Sequence, residues 1–293
     1  MKPRNAQLWA LMPEAIEALY DLYKAGGLDD LEADDQAGQT EAVAEARAGR
    51  PQKFPAVDGA VAVVPIEGIL WGRKYAQIRA DFDAALASEA VGGIVLNIDS
   101  PGGLAYGTHE LARHIRDSRG TKPIVAVANP LAASAAYYLG SQADRFAVTP
   151  SGEAGSIGVI SVHFDHSKML EDFGVKATII KAGRFKGEGN PFEPLTDEAR
   201  EYEQSRIDDF YRLFVDDVAA GRSVDRKTVL EDFGEGRVFG ARQAVSSGMA
   251  DRVAGFDTVV REMLETGRNR KARRARAATA RRRHELAVRR AST

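Results

Sequence analysis

The chain has no cysteine among its 293 residues, which excludes disulfides and thiolate metal sites and leaves the redox compartment open. It also lacks any apolar run near the roughly 18–20 residues that a membrane span needs. Within Met1 to Met12 the apolar run is only Leu8 to Leu11, too short for a secretory core, and Pro13 and Glu14 follow directly. These absences set the expectation of a cytoplasmic protein. Histidine is scarce, with five in all. His109 and His114 in H-E-L-A-R-H are five apart with Arg113 between them, which breaks the metalloprotease pattern. His163 and His166 straddle the end of an expected strand, and no histidine stands where a Ser-His-Asp triad would need it. A Walker-type loop is missing as well, because the Gly-rich stretch near 183–189 lacks the strand–helix context that phosphate binding requires. No metal and no cofactor is expected.

What is present is ordinary for a globular protein: 44% hydrophobic and 28% charged residues. The net charge of −2 conceals an asymmetry. Arg268 to Thr293 holds eleven Lys or Arg against one acid, Glu285. Of 40 basic and 42 acidic residues in all, 29 and 41 therefore remain in 1–267, an acidic body with a basic tail.

Ile16, Leu19, Tyr20 and Tyr23 predict an amphipathic helix over 13–24, ended by Gly26-Gly27. The acidic, Ala-rich stretch 28–52 reads as a linker, so residues 1–55 form an N-terminal helix and linker, 56–266 the compact domain, and 267–293 a disordered tail. Strands are expected at Val61–Ile66, Gly93–Ile98 and Pro123–Ala128, alternating with helices around Phe82, around Leu111 and Ile115, and from Ser134. Continuous apolar strands alternating with helices predict an α/β core with a largely parallel sheet. Shorter strands follow at Arg145–Val148, Ile157–His163 and Lys176–Lys181, with a helix Asp165–Phe173 and a loop 182–195. The C-terminal part is helical: an apolar stripe from Ile207 to Val218 behind the N-cap Thr196, then helices near 226–232, 240–247 and 256–265.

Four features carry possible chemistry. The stretch Asn129 to Gly140, N-P-L-A-A-S-A-A-Y-Y-L-G, places Ser134 at the start of an Ala-rich helix behind a strand. Little bulk there blocks its hydroxyl, and a helix N-terminus favours a developing anion. Taken alone, a small serine between alanines fits a close packing position better than a nucleophile. Asp99 to Gly103, D-S-P-G-G, reads as a tight turn whose glycines leave backbone N–H groups free, as an oxyanion hole requires, or as plain turn glycines feeding a helix. G-S-I-G at Gly155 to Gly158 opens a strand, and Ser156 there either acts on the site or satisfies backbone groups. Lys186 lies in the loop Ala182 to Asn190, where its neighbours Arg184 and Lys181 compete for any cationic role and an ordinary loop lysine is the plain reading.

In this order and at this spacing, the four motifs resemble the signal peptide peptidase A family of serine peptidases, which includes the phage prohead proteases, over roughly 58–265. The resemblance implies the Clp protease/crotonase fold. It implies that Ser134 is the nucleophile, that Lys186 is the general base, that Ser156 holds the lysine amine, and that the N–H of Gly102, with Gly103, binds the oxyanion. A lysine serves as base near neutral pH only where desolvation lowers its pKa by several units from about 10.4, and Ser–Lys pairs are a variant of triad logic. The family further implies a peptide or protein substrate and homo-oligomers, in some relatives with the cleft completed between subunits.

Signal peptide peptidases of this type carry an N-terminal membrane anchor, and residues 1–55 show no span. The phage-type branch, acting on scaffold or capsid proteins inside an immature capsid, fits better, and the basic tail suits contact with coat protein or nucleic acid. The other readings are a signal peptide peptidase-like enzyme, a non-catalytic capsid assembly protein on the same fold, and a crotonase-type acyl-CoA enzyme. Neither of the last two needs both Ser134 and Lys186, so their joint presence favours the peptidase.

Overall fold

A computed structural model of the chain describes residues 8–11 and 60–267. The helix expected over 13–24, the acidic linker and the basic tail beyond Gly267 lie outside the described residues. In chain order the strands are β1 (Leu8–Leu11), β2 (Ala60–Glu67), β3 (Val91–Ser100), β4 (Gly102–Leu104), β5 (Ile124–Ala133), β6 (Arg145–Val148), β7 (Glu153–Gly155), β8 (Ile160–Ser161), β9 (Val238–Gly240) and β10 (Arg252–Val253). The helices are α1 (Gly72–Ala87), α2 (Thr108–Asp117), α3 (Ala135–Gly140), α4 (Ser167–Asp172), α5 (Asp197–Arg222), α6 (Arg226–Asp232) and α7 (Ala241–Ser246), and a further helix covers 256–267.

The main sheet runs β10-β6-β5-β3-β2, every pair along it parallel. The α/β class with a largely parallel sheet, expected from the apolar runs, is observed. Ile94, Val95, Leu96 and Ile98 of β3 and Ile124 to Ala128 of β5 are buried, as central strands covered on both faces must be. β2 lies at the edge and alternates buried with exposed residues, and an edge also tolerates Pro65, which cannot donate to a ladder. One face of the sheet packs against Ile78 and Phe82 of α1, Leu111 and Ile115 of α2, α3, and Phe214 and Val218 of α5. The helix over 256–267 seals the other face, setting Val259 and Met263 against Val95, Val125 and Val127.

Several boundaries differ from the sequence expectation, each for a tertiary reason. β5 continues through Pro130 to Ala133 because Leu131, Ala132 and Ala133 pair with β7 after Val125 to Ala128 have paired with β6. The tight turn expected at Asp99–Gly103 is largely strand: β3 reaches Ser100 and β4 starts at Gly102. Only Ile160–Ser161 of the strand expected over 157–163 forms, Ser156 follows a strand rather than opening one, and the strand expected at 176–181 is exposed coil. Thr196 caps α5 as expected, its hydroxyl accepting the Ala199 N–H at 3.2 Å.

The C-terminal helices are tied to the sheet through Asp251. Its carboxylate accepts the Phe146 N–H at 2.6 Å and two hydrogen bonds from the Arg222 guanidinium, at 2.7 and 3.1 Å. Burial works against its charge, but Arg222 and the Phe146 N–H together hold the carboxyl below the usual carboxylate range. A carboxylate whose folded pKa is depressed contributes stability that is complete above its unfolded pKa, near about 3.9, and is lost as pH falls through the folded value. Thermal midpoints measured down the acid limb are therefore expected to fall more steeply for the wild type than for Asp251→Asn. Parallel acid limbs would show that this carboxylate contributes nothing.

Candidate active site

Ser134 sits where β5 gives way to α3, at the carboxyl end of a central parallel strand, the edge at which open α/β sheets place their ligands. Its backbone is strained, with φ 53° and ψ −121°, a conformation that bulky L-residues avoid and that marks a sharp strand-to-helix turn of the nucleophile-elbow kind. The turn is fixed from two sides: the Ser134 N–H donates to the Gly155 carbonyl at 2.7 Å, and its own carbonyl accepts the Tyr138 N–H at 2.8 Å. The side chain does not cap the helix. Its Oγ is fully buried and has no hydrogen-bond partner among the described residues. An unpaired buried hydroxyl costs about 1–3 kcal/mol, and such costs collect at functional sites.

Every residue of α3 is buried, and small residues allow it. Gly140 lies so close to the sheet that an added Cβ would stand 2.7 Å from Ile98 Cδ1 and from a Phe146 ring carbon. Tyr137 packs edge-on against Phe146 and donates its hydroxyl to the Met249 carbonyl at 3.0 Å. Tyr138 stacks on Phe214 with ring centroids 4.4 Å apart.

Three of the four sequence-derived features meet here. Ser156 is buried with φ 56° and directly follows Gly155, whose carbonyl holds the Ser134 N–H. β4, with Gly102 and Gly103, packs against α3. Gly102 has φ 106°, and its N–H is engaged, donating to Ser100 Oγ at 3.1 Å, while Ser100 Oγ donates to the Gly68 carbonyl at 2.6 Å. Gly103 lies flush on the 68–70 segment: a Cβ there would be 1.9 Å from the Leu70 carbonyl oxygen, so only glycine fits.

The fourth feature is not hydrogen-bonded to the other three. Lys186 is exposed in a turn, its backbone N–H donating to the Gly183 carbonyl at 3.1 Å, and its amine is not hydrogen-bonded to Ser134. The competitors Lys181 and Arg184 are exposed too, and Arg184 pairs with Glu198 at 2.8 Å.

Sequence reasoning missed three contributors. The Ala135 N–H, at the first helical position directly after Ser134, belongs to the donors that a helix leaves unpaired. Ser100 orients the Gly102 turn, and its place in D-S-P-G-G was the available signal. The third is a buried ionic group behind α3. Asp217 of α5 accepts from the Tyr138 hydroxyl at 2.7 Å, from His109 Nδ1 at 2.7 Å and from Arg116 Nη1 at 2.9 Å. Burial first, and then Asp217 beside it, push the Tyr138 phenol well above its usual value, so it remains a donor. No local pattern links residues 79 positions apart. Among the described residues no group of carboxylates, histidines and cysteines is placed to hold a metal.

A strained, buried, unpaired serine between a glycine-rich strand end and a helix N-terminus is an arrangement for acyl transfer. Comparison with known proteins agrees in kind: residues 116–269 match the model of Peptidase family S49. The chain belongs to peptidase family S49. It is 34% identical over 224 residues to "Capsid assembly protease C" of Escherichia phage lambda, covering 72% of this chain and 51% of that protein. It is 37% identical over 217 residues to "Head-tail preconnector protein GP5" of Enterobacteria phage P21, covering 70% and 42% respectively. It is 32% identical over 166 residues to "Putative signal peptide peptidase SppA" of Enterococcus faecium, covering 56% and 48%. The chain thus spans about half the length of these S49 relatives.

Proposed function

We propose that the chain is a Ser–Lys endopeptidase of the phage capsid-maturation type, with Ser134 as nucleophile and Lys186 as general base supplied by a second copy of the chain. The observation that carries this reading is the buried Ser134 Oγ without a partner, on a strained turn that holds it at the carboxyl end of the sheet. Neutral Lys186 accepts the Oγ proton as Oγ attacks the scissile carbonyl. The Ala135 and Gly103 N–H groups take the charge that develops on the carbonyl oxygen, while the Gly102 N–H, expected from the sequence to share that role, is held by Ser100 Oγ. The departing amine takes that proton from Lys186; the Lys186 amine, neutral again, then takes a proton from the water that attacks the acyl ester and returns it to Ser134 Oγ as the ester breaks. Ser156, buried directly after Gly155, holds the lysine amine in this reading.

A lysine in open water keeps its proton at neutral pH, so the base role requires Lys186 to be covered. The segment that carries it supports coverage by another copy. Between 162 and 195, Phe164, Met169, Phe173, Val175, Ile180 and Phe185 are exposed, and α4 buries none of its residues. An apolar concentration of this kind marks an interface. Scaffold or capsid proteins are the proposed substrates, since two relatives are named for capsid assembly and head–tail preconnection. The division into N-terminal segment, peptidase domain and basic tail, a cytoplasmic location and tail contact with coat protein or nucleic acid belong to the same proposal. A membrane role is less favoured: among the described residues no helix is long and apolar enough to cross a bilayer.

Mixing two inactive variants tests the shared site. Ser134→Ala and Lys186→Ala, each inert alone, are expected to regain cleavage of a scaffold or peptide substrate when co-assembled, because some sites then combine an intact serine with an intact lysine. Activity in Lys186→Ala alone would remove lysine from the mechanism, and inert mixtures of co-assembled variants would place both groups within one chain.

A further inference from the structure

β1 is the middle strand of a separate three-stranded sheet, antiparallel to β4 on one side and to β8 on the other. The register sets Trp9 opposite Leu104, Ala10 opposite Gly103 and Leu11 opposite Gly102, and on the other side Leu8 opposite Ser161 and Trp9 opposite Ile160. β4 and β8 are not paired with each other. They form two short rails one strand apart, and one rail is the glycine-rich strand that packs against the helix carrying Ser134.

The hydrogen-bonding sides of this slot follow from strand alternation. The Leu70 N–H donates to the Gly102 carbonyl and the Leu104 N–H to the Leu70 carbonyl, both at 2.8 Å, so these groups point away from β1. Backbone groups alternate along a strand, which turns the N–H and C=O of Gly103 towards Ala10. On β1 the same alternation turns Trp9 towards Ile160. The central strand therefore bonds to both rails at once, as an extended peptide does when it adds to exposed strand edges.

We propose that Leu8–Leu11 is a resident occupant of the peptide slot, a strand of the chain itself that shields Ser134 and must leave before a substrate strand can bind. This rests on the reading of Ser134 as nucleophile, but occupancy and catalysis can be measured separately. The slot takes extended peptide antiparallel to β4, and the N-terminal segment competes for it at the high effective concentration of an attached ligand. Substrate access is then set by how readily β1 peels away.

Ala10→Pro in the full chain removes the N–H that meets Gly103, and Ala10→Val, which retains it, is the control. Two readouts are taken: the rate at which a fluorophosphonate labels Ser134, and amide hydrogen exchange at Gly103 and Ile160 followed by mass spectrometry. With proline at position 10, labelling is expected to accelerate about fivefold, the effect of losing one backbone hydrogen bond, with exchange at both amides rising by a similar factor. Ala10→Val should match wild type in both. Exchange at Gly103 and Ile160 that is unchanged by proline overturns the occupancy, whatever the labelling shows. Raised exchange with no labelling in any chain keeps the occupancy and instead sinks the assignment of Ser134 as a reactive serine.

Discussion

Ser134→Ala is expected to abolish peptide-bond cleavage and, in the same protein, to leave stability unchanged or raise it. Loss of an attacking serine from a peptidase costs about a millionfold in turnover, with the residual rate coming from the oxyanion donors and binding. The stability prediction follows from the geometry of the side chain. Ser134 Oγ is buried without a partner and does not cap α3, so its removal breaks no hydrogen bond and relieves a desolvated hydroxyl. The gain is about 1 kcal/mol or somewhat more. The backbone strain at φ 53° remains, because alanine dislikes that region as much as serine does. Opposite movement of activity and thermal midpoint separates a functional serine from a packing serine, whose truncation would lower the midpoint. A variant that keeps cleaving would sink the nucleophile assignment, and one that is inactive but clearly destabilised would make Ser134 a structural residue.

The same stretch shows why the site was only partly legible in the sequence. The packing reading of A-A-S-A-A is right for its alanines: Ala132, Ala133, Ala135 and Ala136 are fully buried and let α3 lie close to the sheet. What distinguishes the serine from them is a positive φ, and no composition or period encodes that. The parallel core was readable because central strands must be apolar along their length, and β3 and β5 are. β4, β7, β9 and β10 span only two or three residues each, too few for any periodicity, and exist because longer strands template them. β1 is invisible for a related reason. L-W-A-L is a strand only because two rails from residues about 90 and 150 positions away receive it. Gly103 was legible as a glycine that matters, but the cause is the Leu70 carbonyl beneath it rather than a free turn. Lys186 was singled out through the order of motifs; it is exposed, as are Phe173, Val175, Ile180 and Phe185 of the same segment.

The largest stability loss is expected from Asp217→Ala, at about 3–5 kcal/mol, because the substitution leaves a buried ionic group without its anion. Asp217 is 5% exposed and faces three donors from two other helices: the Tyr138 hydroxyl on α3, and His109 and Arg116 on α2. Removing the carboxylate takes the anion from all three at once and leaves only neutral partners: the Leu213 carbonyl for the Tyr138 hydroxyl at 3.1 Å, the Tyr138 hydroxyl for His109 at 3.2 Å, and for Arg116 the Asp217 backbone carbonyl at 3.4 Å and the Gln142 side chain at 3.2 Å. For a domain of this size, a loss of that order lowers the thermal midpoint by roughly 10 °C. Asp217→Asn, which keeps the shape and one acceptor, should lose less. The exposed Arg79–Asp83 pair gives the contrast: Arg79→Ala, which leaves the Asp83–His114 contact in place, costs under about 1 kcal/mol where both partners reach solvent. The consequence for the site is specific. Tyr138 stands one helical turn after Ser134, its N–H bonded to the Ser134 carbonyl, and its ring is clamped between Phe214 and Asp217. Loosening that clamp frees the helix that fixes the strained turn, so fluorophosphonate labelling of Ser134 should slow in Asp217→Ala even well below its midpoint. Labelling at the wild-type rate in a folded Asp217→Ala protein would confine the buried ionic group to stability alone.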